Sequence, residues 1–369
     1  MFTSQTSSFQ ESMDVDERDA DFDSEEIAGY SQKIQPINSY YAIYYYQSTS
    51  LTLLDTSLPP EAELQLQSYI SRRLSKGALL GGMGNIATVE LSIPEQAVGC
   101  YCCLLEQENS PEQPETDGNG WVVCLLGESE KGLNLFRIEL DKYVQGLQGS
   151  LNQEMQNLEM DVRPYLKRWY EESVMHIHRV VQLLQAKVGY LLHAALSHKI
   201  VEVTGADEKT KADVARFIKA AGLQGLVQED TATASLCMAI SEDSHTNLII
   251  NCSTSPPTLT NAVSNRFCDD WIQAFLNAAE RFNPFLLRQI LENFKLKAIQ
   301  DMNNLKRFIR QAEMSHYALF RCCLFLQSCG NGDVLLQNAR AEHSSLPEAC
   351  GIIKVLEEFL GEQAQATLY

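Results

Sequence analysis

The chain has 369 residues, 45% of them apolar, with 48 acidic against 29 basic side chains and a formal net charge of −19. That length buries a core without a metal or disulfide staple and leaves room for two modest domains. The acidic balance argues against nucleic acid as the main partner, because phosphate backbones call for basic patches.

The polar, then acidic start has the wrong chemistry for a signal or transit peptide. No apolar run approaches the roughly 18 residues of a membrane span, so direct membrane insertion is not expected. Residues 1–37 hold nine acids between Glu11 and Glu26 and little periodic apolar content. Such a tail cannot offset its ordering entropy and reads as disordered.

Order is expected from Asn38. Tyr40 to Tyr46 is strand-like in its aromatic content, Gln47 to Ser50 a turn, and Leu51 to Leu54 a second short strand. Pro59-Pro60 introduces a helix with the stripe Leu66, Ile70 and Leu74. Ala87 to Ile93 alternates as a half-buried strand, while Val98 to Leu105 and Trp121 to Leu126 are apolar on both faces and predict interior strands. Between those two, Gln107 to Gly120 is a Pro, Glu and Gly-rich connection. Ser129 opens a helix through Leu147. Strand, strand, helix, three strands, helix is the element order of a longin-type module, assigned here to residues 38–150.

Residues 151–369 turn mainly helical. Tyr165 to Ser197, Glu208 to Ala221, Arg266 to Phe282 and Pro347 to Leu360 each carry an apolar stripe at helical spacing. Leu236 to Ile240 and Leu248 to Cys252 predict a two-stranded hairpin. Between Asn283-Pro284, a start signal, and Cys329-Gly330-Asn331-Gly332, a left-handed stop, one seam runs from Leu287 to Leu326 in steps mostly of three and four. This predicts one helix over 284–328, roughly 65 to 70 Å long. The fold class is therefore α+β: a longin-like antiparallel sheet with packed helices, then a helical domain with a long central helix and a small hairpin.

Catalytic and metal signatures are weak. The glycines Gly77 to Gly84 lack the Gly-Lys-Ser/Thr ending of a phosphate loop. Cys100, Cys102, Cys103 and Cys124 fall on neighbouring predicted strands, without a Cys-x-x-Cys pair. With eleven cysteines in all, mostly among apolar residues, they read as reduced, buried structural thiols of a cytosolic protein. His176 with His178, and His193 with His198, are mis-spaced for a metal pair on one helix face. No catalytic site, cofactor or metal is assigned, and an interaction protein is the expectation.

The central helix carries the candidate docking residues. Seven bases against three acids between Arg288 and Arg321 make it locally +4 in an acidic chain. Lys306, Arg307 and Arg310, spaced to meet one acidic surface, are candidate partner contacts, with Trp271 and Phe275 as apolar ones.

Gly127 to Leu133 (GESEKGL), Phe136 to Leu147 (FRIELDKYVQGL), Leu191 to Ser197 (LLHAALS), Asn265 to Asn277 (NRFCDDWIQAFLN) and Asn283 to Phe320 closely resemble the Njmu family. The resemblance runs from about Ser39 to Leu360 and leaves out the acidic N-terminus and the Gln107 to Gly120 loop. It implies the small, non-enzymatic subunit of a cytosolic complex with a WD-repeat subunit and a FAM-type scaffold subunit. That complex would be recruited to the trans-Golgi network, where it helps golgins, through a TBC-domain adaptor, capture vesicles formed with AP adaptors. The alternatives are a longin-type platform contacting a small GTPase, or a hydrolase centred on His193 and a nearby carboxylate.

Overall fold

A computed structural model of the chain describes residues 39–47, 49–79, 82–107, 119–151, 161–223 and 247–366. The acidic tail, most of the Gln107 to Gly120 connection and the Leu236 to Ile240 arm of the expected hairpin lie outside them. Residues 37–369 form one compact unit.

Its organising element is a five-stranded antiparallel sheet. The strands are β1 (Tyr40–Gln47), β2 (Ser50–Thr56), β3 (Asn85–Glu90), β4 (Ala97–Glu106) and β5 (Gly120–Leu126), in the spatial order β2-β1-β5-β4-β3. The doubly apolar strands β4 and β5 are interior and covered on both sides, as their composition predicts. The pleat sorts their side chains by parity. Val98, Cys100, Cys102, Leu104, Val122, Cys124 and Leu126 pack under α1 (Pro60–Ser75), which contributes Ala62, Leu66 and Ile70.

Tyr101, Cys103, Leu105, Trp121, Val123 and Leu125 face the other way, into the main core. That core receives α2 (Glu130–Asn134) and α3 (Arg137–Gln145), and is continued by helices from the second half of the chain. The two halves thus share a core. Polar ties reinforce it: the Trp169 indole donates to the Tyr40 carbonyl at 3.1 Å, and Arg163 grips the Asp55 carboxylate through two nitrogens at 3.0 and 2.9 Å.

After the short α4 (Gln148–Leu151), the expected Tyr165 to Ser197 helix is a chain of shorter ones: α5 (Arg163–Lys167), α6 (Trp169–Ser173), α7 (His176–Leu184) and α8 (Val188–Leu196). Gln185, at φ +53, breaks the axis between α7 and α8. Strand β6 (Val201–Thr204) and α9 (Glu208–Ala221) follow. The expected strand near Leu248 exists as β7 (Leu248–Asn251), but within the described residues its partners are β6, parallel, and β8 (Thr258–Thr260), antiparallel. Helix α10 (Arg266–Glu280) is capped by Asn265, whose side chain accepts from the Cys268 amide.

The long rod is corrected. The helix starts as predicted, with Asn283 accepting from the Leu286 amide and Pro284 in the first turn, but α11 (Pro284–Ala312) stops after 29 residues, about 43 Å. The chain turns through Glu313, Met314 and the extended Ser315, and α12 (His316–Cys329) folds back along it. Phe308 meets Phe325 across this hairpin, ring centroids 5.4 Å apart. The single seam is really two, because a hairpin points both apolar faces into one core. Met302, Leu305 and Ile309 close on Cys322 and Leu326, completed by α13 (Gly332–Glu342) and α14 (Pro347–Ala366). The predicted stop is met: Gly330 has φ +70.

Candidate docking face

The hairpin of α11 and α12 sorts its residues into three environments. Most of the bases counted along the seam are matched within the chain. Arg288, only 5% exposed, pairs with Glu139 at 2.9 Å and with Glu292 at 3.0 Å; Lys295 reaches the same Glu292 at 2.8 Å. Lys297 pairs with the buried Asp301, whose carboxyl is raised by burial, and Lys306 with Glu342 at 2.6 Å. The local +4 is therefore mostly spent in the fold. Among the described residues Arg307, Arg310 and Arg321 make no ion pair that competes for them, and Arg307 and Arg321 set their guanidinium groups 5.7 and 5.8 Å from the Phe308 ring centroid.

The second environment is apolar and outward. Helix α12 buries Ala318, Cys322, Cys323 and Leu326, so the opposite face carries Tyr317, Phe320 and Leu324, 70%, 57% and 48% exposed. Steps of three and four align them as one stripe, which Met314 extends at the turn. Arg321, four residues after Tyr317, flanks it. Exposed apolar residues elsewhere, such as Leu53, Leu64 and Ile138, stand on separate elements and need no explanation.

The third environment is interior. Phe275, expected at a partner contact, is wholly buried against Phe217, centroids 6.5 Å apart, and cannot be offered to a partner. Trp271 is half-buried and packs edge-on against Phe294 at 5.9 Å. Both read as candidate contacts in the sequence because an amphipathic stripe looks the same whether its cover is internal or a second protein. The stripe it missed, Tyr317-Phe320-Leu324, was legible as apolar residues off the seam.

His193 does have a carboxylate: its Nε2 lies 2.8 Å from Asp333, whose carboxyl is also bonded by the Asn265 amide at 2.8 Å. The Nδ1 is buried without a hydrogen-bond partner, and Ser197 Oγ donates to the His193 backbone carbonyl. The grouping clips α8 to α10 and α13. Two surface depressions, one bounded by Leu64, Tyr69 and Arg72 and another by Arg179, Lys209 and Asp213, are lined by neither His193 nor Asp333. Nor is the glycine turn a phosphate cradle at Gly84, whose amide donates to the Asp141 carboxylate at 3.1 Å.

The pleat and the β4/β5 register bring three of the cysteines together. Cys102 stands directly opposite Cys124, Cys100 lies one same-face step along β4, and the Cys100 and Cys102 sulfurs are 3.2 Å apart. Hydrogen bonds from Cys100, then Cys124, pull the Cys102 thiol down, with Arg73 assisting, whereas Cys124 is pushed up by burial.

A helix-rich α+β chain with an apolar, cation-flanked hairpin face defines the setting in which the relatives can be read. The chain belongs to the Njmu-R1-like protein family, which it matches over residues 36–362. It is 58% identical over 318 residues to Protein Njmu-R1 of Mus musculus, an alignment covering 85% of this chain and 81% of that protein. Among the described residues no helix is long and apolar enough to cross a membrane.

Proposed function

We propose that this chain is a non-enzymatic subunit of a cytosolic tethering complex, recruited to the trans-Golgi network, that helps golgins capture AP-adaptor-derived vesicles through protein-protein contacts. The observation that carries the contact role is the exposed α12 stripe of Tyr317, Phe320 and Leu324, flanked by Arg321, which shares the Phe308 ring with Arg307. Aromatic and arginine side chains are the types that dominate interface energetics when a partner desolvates them. The partners in this reading are the WD-repeat subunit and the FAM-type scaffold, with the TBC-domain adaptor and golgins reached indirectly. A stable interface would bury on the order of 1,600 Å² in total.

The test is affinity purification of the tagged full-length chain, followed by the Tyr317→Ser, Phe320→Ser, Leu324→Ser variant. The WD-repeat and FAM-type subunits should co-purify with the parent chain and be reduced with the variant. Recovery of neither from the parent chain would sink the assignment. Undiminished recovery by a folded variant would move the contact elsewhere.

A second reading places a small GTPase on the sheet half. What supports this reading is the antiparallel order β2-β1-β5-β4-β3, with α1 packed on one face and α2 and α3 on the other. Pulldown against Golgi GTPases loaded with either nucleotide separates this reading from scaffolding, since a scaffold should show no nucleotide preference.

A further inference from the structure

The thiol cluster beneath α1 meets a stricter standard than close packing requires. Its three ligand atoms, the sulfurs of Cys100, Cys102 and Cys124, all lie within 4.8 Å of one another, and the residues are 1%, 3% and 0% exposed. Chain geometry alone produces this convergence. A Cys-x-Cys step on a strand returns to the same face, and the antiparallel register sets Cys124 across from Cys102. Metal–sulfur bonds of about 2.3 Å hold three sulfurs about 4 Å apart in a trigonal plane, so small shifts of these side chains suffice. The Cys100 to Cys102 separation of 3.2 Å is meanwhile far beyond the roughly 2.05 Å of a disulfide.

The surroundings supply what a metal-thiolate centre needs. Arg73 on α1 sends its guanidinium to Asn85 at 2.6 Å, and Asn85 is the β3 residue directly opposite Cys102. A fixed positive charge therefore stands at the edge of the cluster. The Tyr44 hydroxyl is buried on the same sheet face, with Glu63 of α1 beside it.

We propose that Cys100, Cys102 and Cys124 form a three-coordinate thiolate site for a soft, closed-shell cation, monovalent copper. Thiolates select copper(I), zinc or iron–sulfur centres, and three all-sulfur donors fall one short of the tetrahedron that structural zinc takes. The balance is one copper(I) plus three thiols giving one Cu(SR)3 centre of charge −2 and three released protons, with no electron transferred. Arg73 offsets part of that charge. The ion would cross-link β4 to β5 beneath α1.

The test uses the full-length chain, stripped of metal and held under anaerobic, reducing conditions. Copper(I) is offered as its bicinchoninate complex, and zinc in a parallel titration. One equivalent of copper should be withdrawn, thermal unfolding should move up, and X-ray absorption should show three sulfur neighbours and no nitrogen or oxygen. Changes in the partners of metal ligands commonly cost roughly 10–100-fold in affinity, so Cys102→Ala and Cys124→Ala should each lose at least that, while Cys350→Ser keeps full affinity.

The wild-type stoichiometry and sulfur count decide the matter even if a variant fails to fold. No copper uptake, fewer than three sulfur neighbours, or a preference for zinc overturns the proposal. So does unchanged affinity in folded Cys102→Ala, or a disulfide from Cys102 to either neighbour in chain alkylated at lysis.

Discussion

The Lys306 ammonium lies 2.6 Å from the Glu342 carboxylate, tying α11 to α13, whereas Arg307 and Arg310 point outward beside it. One tight basic triplet therefore has two jobs. Lys306→Glu should set like charges together and cost about 0–1 kcal/mol, the range of a half-exposed pair, seen as a small fall in melting temperature. Arg307→Glu with Arg310→Glu should leave melting unchanged and lower partner recovery in a salt-dependent way, through slower association. Equal recovery from both folded variants at low salt would mean that the outward arginines only solvate the helix.

Arg288 makes a harder stability prediction. Its side chain is 5% exposed and balances two carboxylates, Glu139 on α3 and Glu292 one turn along α11; Glu139 Oε2 is already buried without a partner. Removing the cation leaves Glu139 unmatched in a poorly solvated place, while Glu292 keeps Lys295. Arg288→Met should cost about 3–5 kcal/mol by urea unfolding, and adding Glu139→Gln should recover part of the loss. Additive losses in the double variant would show that the pair is not coupled.

Legibility in the sequence followed how local each signal was. The starts at Asn283-Pro284 and Ser129 and the stop at Gly330 are fixed by single residues with capping or left-handed roles, and the structure has them. The turn at Glu313-Met314-Ser315 contains neither Gly nor Pro, and the apolar seam continues in phase through it. Nothing local distinguished a rod from a hairpin. What covers the Phe275 stripe was likewise hidden, because the cover comes from α9, far along the chain. The thiol cluster was half legible: Cys-x-Cys on a strand marks one face, but the β4/β5 register that adds Cys124 is tertiary information.

Acid should act through the buried histidines. His176 is wholly buried with its Nδ1 against the Ser173 carbonyl, and burial, aided by Arg288, lowers it from 6.5 to about 3. The unfolded chain therefore binds a proton that the folded chain refuses. Its contribution is fully present above about pH 6.5 and is lost as pH falls towards 3, with a slope of up to about 1.4 kcal/mol per unit. His178 and His198 are lowered in the same direction, mainly by burial. His176→Asn, whose amide can still donate to the Ser173 carbonyl, should flatten the fall in stability between pH 6.5 and 5. An unchanged slope in urea unfolding would remove His176 as the cause.

Three glycines rank themselves by what a methyl group would meet. At Gly84 an added Cβ falls 2.0 Å from the Tyr101 ring, which is buried and held by its hydroxyl donating to Asp141 at 2.7 Å. The ring cannot swing away without breaking that bond, and the Gly84 amide donates to the same carboxylate. Gly84→Ala should therefore cost about 1–3 kcal/mol or more as an overpacked site. At Gly77 nothing lies within 4 Å, but the backbone sits at φ +62, so alanine bears only the left-handed strain of about 1 kcal/mol. Gly149 combines open space with ordinary φ in α4, where alanine should be neutral or stabilise by about 0.4–1 kcal/mol through the unfolded chain. Melting temperatures should order the variants Gly149→Ala, Gly77→Ala, Gly84→Ala from highest to lowest. A Gly84→Ala chain as stable as Gly77→Ala would show that Tyr101 is not held in place by Asp141.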